Sequence, residues 1–113
     1  MPSRQRTTPR PPSREESGPT PRLAIVRGAE RGTVFPLVLK ETLIGRIDSN
    51  HLAIDDKSVS RVHAKIVLQP GGVFIYDLDS MAGTQVNGSD VTRAKLKNGD
   101  EITIGEIALV YSE

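Results

Sequence analysis

Ile44-Gly45-Arg46, followed after a polar gap by Ser58-Val59-Ser60-Arg61-Val62-His63-Ala64, is the densest part of a stretch that runs from Leu43 to Gly88. It sets two arginines, a serine and a histidine beside polar or glycine-rich turns, with apolar residues at strand spacing on either side. Arginine's planar fork suits a pair of phosphate oxygens, and a serine hydroxyl with backbone N–H groups can complete an oxyanion's shell. By residue type this is an anion-recognition surface.

Outward from that stretch the chain reads as short apolar runs separated by turn residues, and no segment keeps a helical period. Leu23 to Val26, Val34 to Leu39, Thr42 to Ile44, His63 to Leu68, Val73 to Leu78, Ile102 to Ile104 and Ile107 to Tyr111 are each expected to be strands. Ile102 and Ile104 share one face, and Ile107, Leu109 and Tyr111 repeat the pattern. Asn87-Gly88 suits a type I′ hairpin turn, in which both central residues need positive φ, and Gly71-Gly72 and Asn98-Gly99 are expected to do similar work. With no helix to cover a sheet face, two sheets must bury each other. The expected fold is therefore an all-β sandwich with binding loops gathered at one end.

A chain of 113 residues allows one domain with a modest core. It has no cysteine, which excludes a disulfide framework and a thiolate metal site. Residues 1–22 hold six of the eight prolines and five arginines against Glu15 and Glu16, a net +3 that leaves −2 for residues 23–113 within a total of +1. That segment has no aliphatic or aromatic residue beyond Met1, too little to offset the entropy of ordering, so it is expected to be a disordered arm. Thr7 and Thr8, which follow Arg4 and Arg6, are candidate kinase acceptor sites. The acidic balance of residues 23–113 argues against nucleic-acid binding by bulk charge. The first apolar stretch begins at Leu23 and meets Arg27, so neither a signal peptide nor a membrane span is expected. The expectation is a soluble, mostly monomeric protein of the cytoplasm, or of the nucleus in a eukaryote. No nucleophile elbow, acid–base pair or metal-ligand spacing is visible, so no catalytic residue, cofactor or metal is expected.

Ile44-Gly45-Arg46, Asn50 within Ser49-Asn50-His51-Leu52, Ser60 to Ala64, Asp77 to Thr84, Val86-Asn87-Gly88 and Leu96-Lys97-Asn98-Gly99-Asp100 occur in an order that resembles a forkhead-associated (FHA) domain, from about Leu23 to Tyr111. That family recognises phosphorylated motifs through arginine. The resemblance implies an eleven-stranded sandwich over residues 23–113, whose end loops bind a phosphothreonine in an extended peptide. Its partner would be a phosphothreonine-containing protein in Ser/Thr protein kinase signalling. The resemblance further implies that Arg46 pairs with the phosphate, that Ser60 donates its hydroxyl to it, and that Arg61 adds charge. Met81, Ala82 and Asn87 would meet the phosphopeptide, and Gly45, His63, Gly83 and Thr84 would support the loops.

Each of these residues also has a plainer use. Arg46 could pair with Asp48 or Asp55, Ser60 could bond its own turn, and Arg61 could remain in solvent. Ala82 departs from the family's pattern, which places there an asparagine that grips the peptide backbone. Met81 stands where a small polar residue is frequent. The alternative is thus a degenerate FHA domain that joins partners without phosphate.

Overall fold

The computed structural model describes residues 20–113. Most of the expected arm, with Thr7 and Thr8, lies outside the described residues. The described residues form eleven strands: β1 Arg22–Arg27, β2 Val34–Pro36, β3 Glu41–Gly45, β4 Leu52–Ala53, β5 Ala64–Gln69, β6 Gly72–Asp77, β7 Thr84–Val86, β8 Ser89–Val91, β9 Arg93–Lys95, β10 Glu101–Ile104 and β11 Ile107–Ser112. Six of them make a sheet in the order β2-β1-β11-β10-β7-β8, and five make a second in the order β4-β3-β5-β6-β9. Only β3 and β4 pair in parallel; the other pairings are antiparallel.

Among the described residues no helix covers a sheet face, and the two sheets bury each other. Leu23, Ile25, Ile102, Ile104, Leu109 and Tyr111 face inward from the first sheet, and Ile44, Ile66 and Ile75 from the second, each 2% exposed or less. Full burial of such a side chain contributes roughly 1.5–3 kcal/mol, so these positions dominate the stability of a domain this small. Tyr111 lies so deep that burial, reinforced by the charge of Glu113, pushes its phenol up to about 12.

Sequence and structure differ where strands are short or meet proline. The expected strand from Val34 to Leu39 ends at Pro36, because proline brings no N–H to a ladder. Leu37 turns into the core and donates its N–H to Pro21 at 2.8 Å, while Val38 and Leu39 stand in solvent. Arg22 already belongs to β1, one residue before the expected strand start at Leu23. The strands β4, β7, β8 and β9 have two or three residues each, too few for a period to register.

The turns divide in the same way. Asn87 and Gly88 have φ of 52° and 86° and close the β7–β8 hairpin between Val86 and Ser89, as a type I′ turn requires. Between β5 and β6 the central pair is Pro70-Gly71 instead of Gly71-Gly72, since Gln69 pairs with Gly72. Asn98-Gly99 closes no hairpin and instead carries the chain from β9 in one sheet to β10 in the other.

Pairing direction then decides which loops meet. β5 runs antiparallel to both β3 and β6, so the end of β3, the start of β5 and the end of β6 share one end of the second sheet. The polar segments after Gly45, before Ala64 and after Asp77 therefore emerge there together.

Candidate functional site

Gly45 closes β3 against the segment that precedes β5. A Cβ at this position would collide with the Arg61 carbonyl and stand 2.8 Å from Val62 Cα, so only glycine lets the two segments touch. The contact is sealed by Arg46 N–H donating to the Ser60 carbonyl (3.0 Å) and by Asn50 Nδ2 donating to the carbonyls of Ile47 and Arg61 (both 2.7 Å). Arg46 then folds its Nε back onto the Val59 carbonyl at 3.0 Å. This bond uses the inner edge of the guanidinium and leaves the two terminal nitrogens to point away from it.

Ser60 joins this segment to the β6–β7 turn. Its Oγ accepts the Met81 N–H at 2.9 Å, and the hydroxyl proton remains available for an acceptor. His63, with 0% exposure, completes the join. Its Nδ1 accepts the Ser60 N–H at 3.1 Å, so Nε2 carries the proton and donates to the Gly83 carbonyl at 2.9 Å. The histidine is therefore a strut between two loops, with both ring nitrogens engaged.

The β6–β7 turn is built on Asp77. Its carboxylate accepts from the Ser80 hydroxyl (2.5 Å), the Ser80 N–H (3.2 Å) and the Thr84 hydroxyl (2.7 Å), and Ser80 Oγ accepts from Gly83 N–H (2.9 Å). Burial pushes this carboxyl up, but the bonds from Ser80 and Thr84 outweigh it and hold it below the ordinary 3.8. A carboxyl with a depressed folded-state pKa contributes stability that is complete above its unfolded value and is lost as pH falls through the folded one. Asp77→Asn is expected to lower unfolding free energy by about 1–3 kcal/mol near neutral pH. In urea titrations the gap between variant and wild type should narrow once pH drops below 3.8.

The structure thus brings Arg46, Ser60, Met81, Ala82 and Gly83 to one end, with Gly45, His63 and Thr84 beneath them. Arg61 is there too, its side chain exposed and its carbonyl held by Asn50. Asn87 is not. It sits beyond the other end of the three-residue β7, roughly 10 Å of strand from Thr84. There its Nδ2 donates to Asp100 Oδ1 (3.0 Å) and its Oδ1 accepts the Glu101 N–H (2.9 Å). Where the sequence reading expects a contact with the peptide, both ends of this amide tie the β7–β8 turn to the start of β10. The supporting residues passed over are Asn50, Asp77 and Ser80. Their signal lay in the spacing of Asp77, Ser80 and Thr84, which suits a carboxylate capping its own turn.

A family profile described as FHA domain matches residues 42–105, the span that carries every element of this cluster. The chain belongs to the FHA domain family. Among curated proteins, this FHA domain is 39% identical to the glycogen accumulation regulator GarA of Mycolicibacterium smegmatis, over 79% of this chain and 56% of that protein. It is 36% identical to an oxoglutarate dehydrogenase inhibitor of Corynebacterium diphtheriae, over 80% of this chain and 64% of that protein. The chain therefore spans between half and two thirds of these relatives' length. Among solved structures it superposes on an FHA domain studied for its phosphothreonine-dependent interactions, with a TM-score of 0.77, 27% identity, and coverage of 84% of this chain and 97% of that one. It is also similar to Mycobacterium tuberculosis EmbR in complex with a low-affinity phosphopeptide, with a TM-score of 0.76, 30% identity, and coverage of 82% of this chain and 24% of that one.

Proposed function

We propose that this FHA domain is a phosphothreonine-dependent peptide-binding module with no catalytic activity, in which residues 23–113 form the binding unit and residues 1–22 an appended arm. The observation that carries this reading is that Met81 N–H holds Ser60 Oγ while Arg46 bonds the carbonyl of the preceding residue, Val59, through Nε, which leaves the serine proton and the terminal guanidinium nitrogens available on one loop end. The terminal nitrogens of Arg46 take a pair of phosphate oxygens, Ser60 donates its hydroxyl proton, and Arg61 adds charge at the rim. The partner is a phosphothreonine-bearing protein, made by a Ser/Thr protein kinase. Relatives named for regulating glycogen accumulation and for inhibiting oxoglutarate dehydrogenase favour a regulator of metabolism, which we place in the cytoplasm as a mostly monomeric protein.

Titration calorimetry with peptides selected from a degenerate phosphothreonine library tests this. Phosphorylated peptides should bind, their plain forms should not, and added salt should weaken the complex. Equal affinity for both forms would overturn the proposal.

A second reading, partner capture without phosphate, is favoured by one observation. Met81 is 96% exposed beside Ala82, so the turn presents a thioether and a methyl where a polar grip is usual in the family. Under that reading capture survives Arg46→Ala, whereas under the first it does not. The first reading also makes a prediction at Ala82, whose side chain is exposed. Ala82→Asn supplies an amide to the peptide backbone and is expected to tighten phosphopeptide binding by roughly two- to tenfold, the range of one added hydrogen bond. Calorimetry on the same peptides measures it.

A further inference from the structure

Beside the phosphate set the surface falls into an open depression of about 350 Å³, between the β6–β7 turn and the end of β8. We propose that this depression is a second subsite, which takes a basic side chain of the bound phosphothreonine peptide and is read by Asp90. The proposal rests on the phosphothreonine reading above and adds a charge requirement to it.

Continuity is the first reason. Met81 and Ala82 line the depression, and Met81 N–H is the group that bonds Ser60 Oγ, so the hollow begins where the phosphate set ends. An extended peptide anchored at Ser60 advances about 3.3 Å per residue, and a neighbouring side chain reaches the hollow within a few residues. Its size is at the lower end of ligand pockets and suits one long side chain.

The lining supplies the second reason. Met81 and Val91 offer apolar surface to a methylene stem, and Asp90 stands among the lining residues with its carboxylate on the side of Gly83. Asp90 Oδ1 accepts from Gln85 Nε2 at 3.2 Å, which orients the group, and among the described residues Oδ2 has no hydrogen-bond partner. Among the described residues no lysine or arginine lines the hollow. The other carboxylate there, Asp77, already receives Ser80 and Thr84.

The site is thus polarised. Arg46 and Arg61 stand at one end and a free carboxylate oxygen at the other, so a matching peptide carries its phosphate and a cation a short distance apart. An acidic side chain at the second position meets Asp90 and is rejected. Ala82 belongs to the same design: its methyl leaves the hollow open, and selection by a side chain takes over from a grip on the peptide backbone.

The test is a positional-scanning phosphothreonine peptide library, bound to the full chain in wild type, Asp90→Asn and Asp90→Lys, with folding of each variant checked by its thermal transition. Wild type should favour lysine or arginine by about two- to fivefold at one position relative to the phosphothreonine, the range for a solvent-exposed ion pair. Asp90→Asn, which can still accept from Gln85, should flatten that preference, and Asp90→Lys should turn it toward glutamate or aspartate at the same position. Wild type that binds phosphopeptides with no basic preference, or with one that neither variant moves, overturns the subsite and leaves the phosphothreonine reading intact. Wild type that binds no phosphopeptide in the library overturns both.

Discussion

Arg46→Ala is expected to abolish measurable phosphopeptide binding while leaving the fold in place. The guanidinium is only half-buried, and among the described residues its one bond is from Nε to the Val59 carbonyl, so its removal takes little from the core. In the proposed complex it would supply two charge-assisted bonds to one phosphate. Losing such an anchor from the centre of an interface costs about 2–4 kcal/mol, roughly thirty- to a thousandfold in Kd. Calorimetry with a library-selected phosphopeptide should show this loss, and a urea titration should give a midpoint close to wild type. Binding that survives the substitution would transfer the function to the phosphate-independent reading.

His63→Ala is expected to act differently, on fold and binding together. The imidazole is fully buried and joins the segment before β5 to the β6–β7 turn through Ser60 N–H and the Gly83 carbonyl. Alanine leaves a cavity and two unpaired polar groups, which together cost about 2–4 kcal/mol of stability. Ser60 and Met81 are held by the loops that the histidine joins, so phosphopeptide affinity should fall as well, although the fully buried ring offers no surface to a ligand. Urea denaturation and calorimetry on one preparation separate the two substitutions. A residue that touches ligand moves Kd alone, whereas a strut moves both quantities. Unchanged stability in His63→Ala would show that the loops are held by other bonds.

The contrast between these two residues also marks what could be read before the fold was known. Arg46, Ser60 and Arg61 are readable by residue type as candidates for an anion site, since an arginine fork and a hydroxyl donor suit an oxyanion. Asn87 illustrates the opposite case. As a letter it belongs to the same series of motifs, but β7 is only three residues long and carries it to the far end of the sandwich, where Asp100 and Glu101 use both ends of its amide. Asp77 and Ser80 were legible only as spacing. Their importance comes from hydrogen bonds that form once the turn has closed.

By itself the sequence determined the class of fold and the type of chemistry. Alternation along β10 and β11 requires one buried face, Asn87-Gly88 requires a tight hairpin, and the absence of a helical period requires two sheets to cover each other. These are local rules, set by backbone sterics and side-chain hydrophobicity within a few residues. Tertiary structure alone decided that the first and last strands pair, that β9 crosses to the second sheet, and that three separate loops converge on Ile44-Gly45-Arg46. It also decided that His63 is a strut, that Asn87 is remote, and that Asp90 opens onto a hollow beside Ala82. Those outcomes depend on pairing direction and on contacts between residues far apart in the chain, which no local pattern encodes.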